Sequence, residues 1–143
     1  MKDFGEELEE KDFKKWLEIL RKAAVSLLNV RPTEPMAQNG IKFIFKELHS
    51  YQPKDTLTAK SCLRASAYDY LLLMEDAAKI IIETGKKVIE SGNRIFTHCH
   101  SWLVEQILIR AFQSKKFQVF NTETRPLYQG RIMAKNYSKQ KFP

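Results

Sequence analysis

The sequence predicts an α-helical amino-terminal domain followed by the first βαβ unit of an incomplete Rossmann-like α/β domain. Three observations support this prediction. Apolar residues recur at helical spacing up to residue 91. A strand, a helix and a second strand then follow within about 30 residues, the length of one parallel crossover unit, and two strands are marginal as a free-standing sheet. We therefore divide the chain into a helical domain, residues 1–92, and a partial Rossmann-like domain, residues 93–143.

Three helices are expected in the first domain. The first is predicted from about residue 7 to residue 29, because its apolar residues keep to i, i+3, i+4, i+7 spacing. A second helix, capped by Thr33 with Pro35 in its first turn, is predicted to end near His49. Residues 56–91 are helical throughout in pattern, which fits one long helix or a kinked pair. Gly85 is the expected kink and Gly92 the expected stop.

The second domain is expected to begin with a short buried strand at residues 94–97, because Ile95 and Phe96 are strand formers after a turn. A helix at residues 102–112, capped by Ser101, and a strand at residues 117–121 complete the unit. Residues 122–128 are predicted to form a loop. Because the carboxyl ends of parallel strands meet at one edge of a sheet, both connecting turns are expected there, where such folds bind ligands.

Composition narrows the classes of function. Lys and Arg total 24 against 17 acidic residues, and the net charge of +7 suits phosphorylated ligands, acidic protein surfaces or RNA. The two cysteines, Cys62 and Cys99, form no disulfide framework, and no signal peptide is evident, so a cytoplasmic location is expected. No apolar run approaches the roughly 18 residues of a membrane span.

Cys99 lies at the predicted ligand edge, in the turn between the first strand and the helix. Backbone N–H groups and the dipole at a helix start favour anions, so a thiolate at this position can act as a base or nucleophile. The alternative is that Cys99 is a small buried apolar residue that closes the strand. Its position alone does not choose between the two.

Other chemistry has less support. In an extended segment His98 and His100 point to one side and Cys99 to the other, and no second ligand cluster is present, so no metal is expected. No cofactor is expected either. There is no glycine-flanked nucleophile elbow for acyl transfer. In the predicted loop, Glu123 and Arg125 either pair with each other or contact a ligand.

Several short motifs resemble one known superfamily. They are Arg31-Pro32-Thr33, Thr97-His98-Cys99-His100-Ser101, Thr122-Glu123-Thr124-Arg125-Pro126, Gln129-Gly130-Arg131 and Ala134. In this order and spacing they look like the signature of the superfamily that contains the initiation factor 2B alpha, beta and delta subunits, the archaeal ribose-1,5-bisphosphate isomerases and the methylthioribose-1-phosphate isomerases. The cysteine makes the chain more similar to the ribose-1,5-bisphosphate isomerases than to the eukaryotic regulatory subunits.

The resemblance implies an aldose to ketose isomerisation in which Cys99 removes the C2 proton and an aspartate is the general acid. The family's aspartate and the Asn-Lys pair after it have no counterpart in this sequence. The match covers the helical domain and the first crossover unit. We therefore expect a fragment, a split half that needs its carboxy-terminal complement, or a diverged remnant that dimerises to cover its open sheet edge.

The resemblance also implies binding roles for five residues. The matching arginine of the family reaches a substrate phosphate, a bidentate contact that suits the guanidinium of Arg31. Gln129 would line the sugar-phosphate pocket. Ser101 would contact phosphate through the helix start, with Trp102 and Leu103 behind it. Trp102 departs from the small residue that the family usually has there, and it is expected to crowd the pocket.

Two functions remain open on the sequence. The first is isomerisation of ribose 1,5-bisphosphate to ribulose 1,5-bisphosphate, dependent on a carboxy-terminal half. The second is a non-catalytic binding and assembly module similar to the initiation factor 2B regulatory subunits. In both cases the expected partners are a phosphorylated sugar or nucleotide and either further copies of the chain or a complementing half. Neither a membrane nor direct contact with nucleic acid is expected.

Overall fold

The computed structural model of the protein describes residues 1–140, which form a helical structure with one small parallel sheet. The elements are α1 (Lys2–Glu7), α2 (Phe13–Val30), α3 (Pro35–Tyr51), α4 (Thr56–Val88), β1 (Arg94–His98), α5 (Trp102–Phe112), β2 (Gln118–Thr122) and α6 (Gln129–Lys139). Internal contacts divide the chain into two compact units, Met1–Met74 and a second unit that begins at Glu75. No helix within residues 1–140 is long and apolar enough to cross a membrane.

The amino-terminal segment forms two helices, so the prediction of one helix from residue 7 is wrong. Asp12 is the N-cap of α2, where its carboxylate accepts a hydrogen bond of 3.0 Å from the backbone N–H of Lys15. The stretch between α1 and α2 is rich in charged residues. This stretch fits the residue spacing of a helix, but α2 begins only after the Asp12 cap, at Phe13.

The core of the first unit lies between α2, α3 and α4. Its buried apolar residues are Trp16, Leu20, Ile44, Leu48, Ala59, Leu63 and Ala67. Trp16 is fully buried, and its indole Nε1 donates a hydrogen bond of 3.0 Å to the backbone oxygen of Gly5. This bond connects α1 to the core.

The boundaries of α3 differ from the prediction at both ends. Glu34, not Thr33, is the N-cap, and it makes no side-chain capping hydrogen bond, while Pro35 occupies the first turn as predicted. The helix continues past His49 to Tyr51. It ends at Gln52, whose φ of 49° lies in the left-handed region.

Helix α4 is a single helix that passes through Gly85 without a break. A Cβ atom at Gly85 would lie 2.7 Å from Cδ1 of Ile107 on α5, so the glycine permits close packing of two helices and is not a kink. The helix ends at Val88, earlier than the predicted stop. Gly92 instead adopts a φ of +89° in the turn into β1, a conformation that favours glycine.

Because the second half of α4 packs against α5, the compact units divide inside α4, between Met74 and Glu75. The predicted division between residues 92 and 93 follows the change from helix to strand. A change of secondary structure is a different property from a division between compact units. The domain boundary between residues 92 and 93 therefore remains a prediction.

Strands β1 and β2 pair in parallel around α5, with Arg94 opposite Gln118 and His98 opposite Thr122. One face of the sheet carries Ile95 and Val119 and packs against a core formed by Ile89, Leu108, Ala111, Phe117, Met133 and Tyr137. The expectation of a buried strand is wrong, because Phe96 on the other face is 70% exposed. Helices α5 and α6 contribute to this core together with Ile89, which follows α4, whereas the face that carries Phe96 is exposed.

Replacement of Trp16 with phenylalanine is expected to lower the free energy of unfolding by about 1.5 kcal/mol. Phenylalanine cannot donate to the Gly5 carbonyl, so a buried acceptor loses its partner, and the smaller ring leaves a void. Urea unfolding followed by circular dichroism measures the change. Trp102→Phe is the matched control, because Trp102 is 55% exposed and its replacement should change stability by less than about 0.5 kcal/mol. Equal effects of the two substitutions would contradict the assignment.

Candidate functional site

Cys99 is the residue at which three segments of the second unit meet. It follows β1 with a φ of 65°, in the left-handed region that non-glycine residues seldom adopt. Its thiol donates a hydrogen bond of 2.9 Å to Oε1 of Gln129, and the hydroxyl of Thr124 donates to Sγ over 3.3 Å. The turn after β1, the loop after β2 and the start of α6 therefore converge on one sulfur atom.

The left-handed conformation of Cys99 changes the predicted arrangement of the two histidines. The segment is not extended there, so the expectation that both rings share one side does not apply. Nδ1 of His98 lies 2.6 Å from Oγ1 of Thr122, and Nε2 of His100 lies 2.7 Å from Oε2 of Glu105. Among residues 1–140, no group of three or more His, Cys, Asp or Glu side chains is arranged to hold a metal ion.

Helix α5 starts beside the Cys99 turn. Ser101 is its N-cap, as predicted, and its hydroxyl accepts a hydrogen bond of 3.5 Å from the backbone N–H of Val104. Trp102 is exposed and Leu103 is half-buried. The first turn of a helix presents backbone N–H groups and a positive dipole end, which together favour an anion such as a phosphate.

Helix α6 was not predicted, and it carries Gln129 at its first position. Two groups at the end of β2 hold its first turn. The Nδ2 group of Asn121 donates to the Gly130 oxygen over 2.9 Å, and the Gly130 N–H donates to Oε1 of Glu123 over 3.1 Å. Little in the sequence indicates this helix, because a glycine in its first turn and few apolar residues weaken the helical pattern.

Glu123 pairs with Arg131 and not with Arg125, which was one of the two alternatives that the sequence left open. Oε2 of Glu123 lies 3.0 Å from Nε of Arg131, on the first turns of α6. The guanidinium of Arg125 lies 6.0 Å from the centre of the Tyr128 ring. The change follows from the unpredicted helix, which brings Arg131 back toward the end of β2.

Arg31 belongs to the first unit, whereas the other candidate residues belong to the second. It is the C-cap of α2, and its Nη1 lies 3.4 Å from Oε2 of Glu34. The side chain is 78% exposed, so this ion pair contributes little to stability.

A buried polar cluster beside the Cys99 turn was missed by sequence reasoning. Glu105 lies on the buried face of α5, and its carboxylate accepts hydrogen bonds from Asn136 Nδ2 over 3.0 and 3.1 Å as well as contacting His100. Burial and the charge of Glu105 both raise the pKa of the Tyr137 hydroxyl. One signal for the cluster was present. Glu105 precedes the buried residues Leu108 and Ala111 at helical spacing, and an acidic residue on an apolar face requires partners.

Comparison with known proteins gives a consistent result. The model of the Initiation factor 2 subunit family matches residues 2–143. The chain is 34% identical over 136 residues to the ribose 1,5-bisphosphate isomerase of Pyrococcus furiosus, a match that spans 90% of this chain and 40% of that protein. It is 35% identical over 77 residues to a putative translation initiation factor eIF-2B subunit 2-like protein of the same organism, which spans 53% of this chain and 28% of that protein.

A solved structure resembles the whole described fold. The translation initiation factor eIF-2B of Pyrococcus horikoshii matches with a TM-score of 0.76 and 26% sequence identity. The match spans 99% of this chain and 47% of that chain. Each of these matches therefore spans less than half the length of the relative.

Proposed function

This chain belongs to the Initiation factor 2 subunit family, and on that premise we propose that its Cys99 site serves the isomerisation of ribose 1,5-bisphosphate to ribulose 1,5-bisphosphate. The observation that supports the proposal most is the placement of the Cys99 thiol between Thr124 and Gln129, next to the start of a helix. We further propose that β1, α5 and β2 form the first crossover of a Rossmann-like domain, and that the protein acts in the cytoplasm.

The chemistry of this isomerisation requires a base near C2 of the sugar. The reaction opens the bond between C1 and the ring oxygen and moves a proton from C2 to C1. The former ring oxygen gains a proton and becomes a hydroxyl, and the C2 hydroxyl loses its proton to leave a ketone at C2. In the proposed mechanism the Cys99 thiolate takes the proton from C2. Thr124 donates to the sulfur in either protonation state, and Gln129 accepts from the neutral thiol, so the two side chains fix the position of Sγ.

Two features of the chain suit the phosphate groups of the substrate. The first turn of α5, from Ser101 to Leu103, provides backbone N–H groups and the positive end of the helix dipole. In the first unit, the exposed guanidinium of Arg31 suits bidentate binding of a phosphate. In this proposal the exposed side chain of Trp102 restricts the space in front of the start of α5, which favours a narrow ligand.

The proposed reaction also needs an acid that protonates the ring oxygen. In residues 75–140 the one aspartate is Asp76, whose carboxylate pairs with Lys79 on α4 at 2.8 Å. We therefore assign the acid to a complementing carboxy-terminal part or to another copy of the chain. The uncovered sheet face, with Phe96 and Phe120 exposed on neighbouring strands, is consistent with such a partner.

A second candidate is a non-catalytic binding and assembly module. It is favoured by the likeness to the eIF-2B subunit 2-like protein and to the P. horikoshii eIF-2B structure. Such a module needs the phosphate contacts and an assembly surface, but it does not need Cys99 as a base. The two candidates therefore make different predictions for catalysis when the Cys99 thiol is removed. They make the same prediction for ligand binding.

The ligand site is tested by thermal unfolding of the purified chain with and without ribose 1,5-bisphosphate. A ligand at 100 times its Kd is expected to add about 2.7 kcal/mol to the free energy of unfolding. Arg31→Ala should remove the shift and Cys99→Ser should keep it. Arg21→Ala is the matched control, because Arg21 is an exposed arginine on α2, the helix whose C-cap is Arg31, with its guanidinium 5.9 Å from the Phe45 ring.

Two results would contradict the proposed ligand site. One is a cooperative melt that the sugar bisphosphate does not shift. The other is an equal loss of the shift in Arg21→Ala and Arg31→Ala, since that pattern reports general attraction to positive charge. Inorganic phosphate at the same concentration distinguishes recognition of the sugar bisphosphate from binding of an isolated anion.

A further inference from the structure

We propose that Glu105 is a positioning residue that holds Cys99 against Gln129. Its side chain is 6% exposed, and it lies on α5, one turn after the N-cap Ser101. It does not touch the sulfur. Its carboxylate instead contacts the residue that follows Cys99 and a residue on α6, the helix that carries Gln129.

The Glu105 carboxyl group has hydrogen-bond partners on two segments of the chain. Asn136 Nδ2 donates to both carboxylate oxygens, over 3.0 and 3.1 Å. Nε2 of His100 lies 2.7 Å from Oε2 of Glu105, a distance that fits a hydrogen bond between the two side chains. A buried carboxylate without such donors is costly, and each of these contacts is therefore held firmly.

Both sequence neighbours of Cys99 make a side-chain hydrogen bond to another element. His98 is bonded to Thr122 at the end of β2, and His100 is bonded to Glu105 on α5. Cys99 between them has a φ of 65°, which a cysteine adopts only when the surrounding structure imposes it. The two anchors account for this backbone conformation, which directs Sγ toward the loop after β2.

The same carboxylate fixes the other side of the contact. Asn136 lies two turns after Gln129 along α6, so the bond from Asn136 to Glu105 sets where that helix lies relative to the Cys99 turn. Glu105 thus connects the element that carries the thiol to the element that carries its acceptor. The 2.9 Å distance between Sγ and Oε1 depends on both connections.

The experiment measures the reactivity of the Cys99 thiol in the whole chain. In a Cys62→Ser background Cys99 is the sole cysteine, and its alkylation by iodoacetamide can be followed from pH 6 to pH 9. Glu105→Gln is expected to raise the rate about tenfold and to change its pH dependence. Tenfold corresponds to about 1.4 kcal/mol less resistance to local opening around the sulfur.

Two further variants separate positioning from general destabilisation. Leu108→Ala removes a buried side chain one turn further along α5 that contacts neither His100 nor Asn136 by a hydrogen bond, and it should leave the pH dependence unchanged. The double variant Glu105→Gln, Asn136→Asp reverses donor and acceptor across the same contact. It should return the alkylation rate to within about twofold of the parent chain, since the carboxylate and the hydrogen bond are both kept.

The outcomes decide the proposal. A folded Glu105→Gln chain with the parent rate and pH dependence would overturn it. An equal change in the rate and pH dependence of Leu108→Ala would also overturn it. If Glu105→Gln fails to fold by circular dichroism, Asn136→Ala replaces it, because that variant removes only the connection to α6. The inference depends on the proposed function only in treating Cys99 as the reacting group. Because no sugar phosphate is used, its failure and the failure of the ligand test are distinguishable.

Discussion

Cys99→Ser is expected to lower kcat about 10³-fold in a chimera that continues this chain into the carboxy-terminal part of an archaeal ribose 1,5-bisphosphate isomerase. A positioned general base contributes about 10² to 10⁴-fold to rate, and a serine hydroxyl does not form an anion near neutral pH. Serine retains the size of the side chain and a donor to Gln129 Oε1, so binding is expected to persist. The loss should therefore appear in kcat and not in KM.

Formation of ribulose 1,5-bisphosphate from ribose 1,5-bisphosphate is the measured reaction. Cys62→Ser is the control, since Cys62 lies in the first unit and its Sγ lies 3.9 Å from the Ser66 hydroxyl. A Cys99→Ser chimera as active as its parent would refute the role of base. A folded parent chimera without activity would refute the isomerase proposal and favour the binding and assembly module.

Local signals in the sequence predicted the crossover unit well. Helix α5 spans the predicted residues, because the Ser101 cap and the regular apolar spacing both act within a few residues of each other. Each of the two strands ends one residue later than predicted. Exposure of Phe96 was not predictable, since it depends on which helices cover the sheet and not on the strand's own pattern.

The candidate site divides in the same way. The common edge of the two strands followed from parallel pairing, and the loop after β2 does meet Cys99 there through Thr124. The left-handed backbone of Cys99 and the buried contacts of Glu105 were not predictable. They arise from contacts between residues far apart in sequence, and Asn136 in particular lies on a helix whose local pattern is weak.

Gly130→Ala is expected to lower the free energy of unfolding by about 3 kcal/mol, the upper end of the usual cost of overpacking. A Cβ atom at this position would lie 2.4 Å from the backbone oxygen of Thr122 and 3.1 Å from Cα of Glu123. Backbone atoms at the end of a paired strand cannot rotate away as a side chain can. Alanine favours a helix over glycine by about 1 kcal/mol at most, which does not offset the clash.

The matched control is Gly85→Ala, another glycine within a helix. There the new Cβ would meet the side chain of Ile107 at 2.7 Å, and that side chain can change rotamer, so the net change should stay within about 1 kcal/mol. Guanidinium unfolding in a Trp16→Phe background isolates Trp102 fluorescence as the report on the second unit. Equal stability of the two alanine variants would contradict the close packing of α6 on β2.

The two glycines also differ in what they do for Cys99. Gly130 directly follows Gln129, so any shift that relieves the clash with Thr122 moves the first turn of α6 and the acceptor of the thiol with it. Gly130→Ala should therefore raise the alkylation rate of Cys99, whereas Gly85→Ala should leave it unchanged. Loss of stability without any change at Cys99 would mean that the helix start yields elsewhere, and that Glu105 and Asn136 alone keep Gln129 in place.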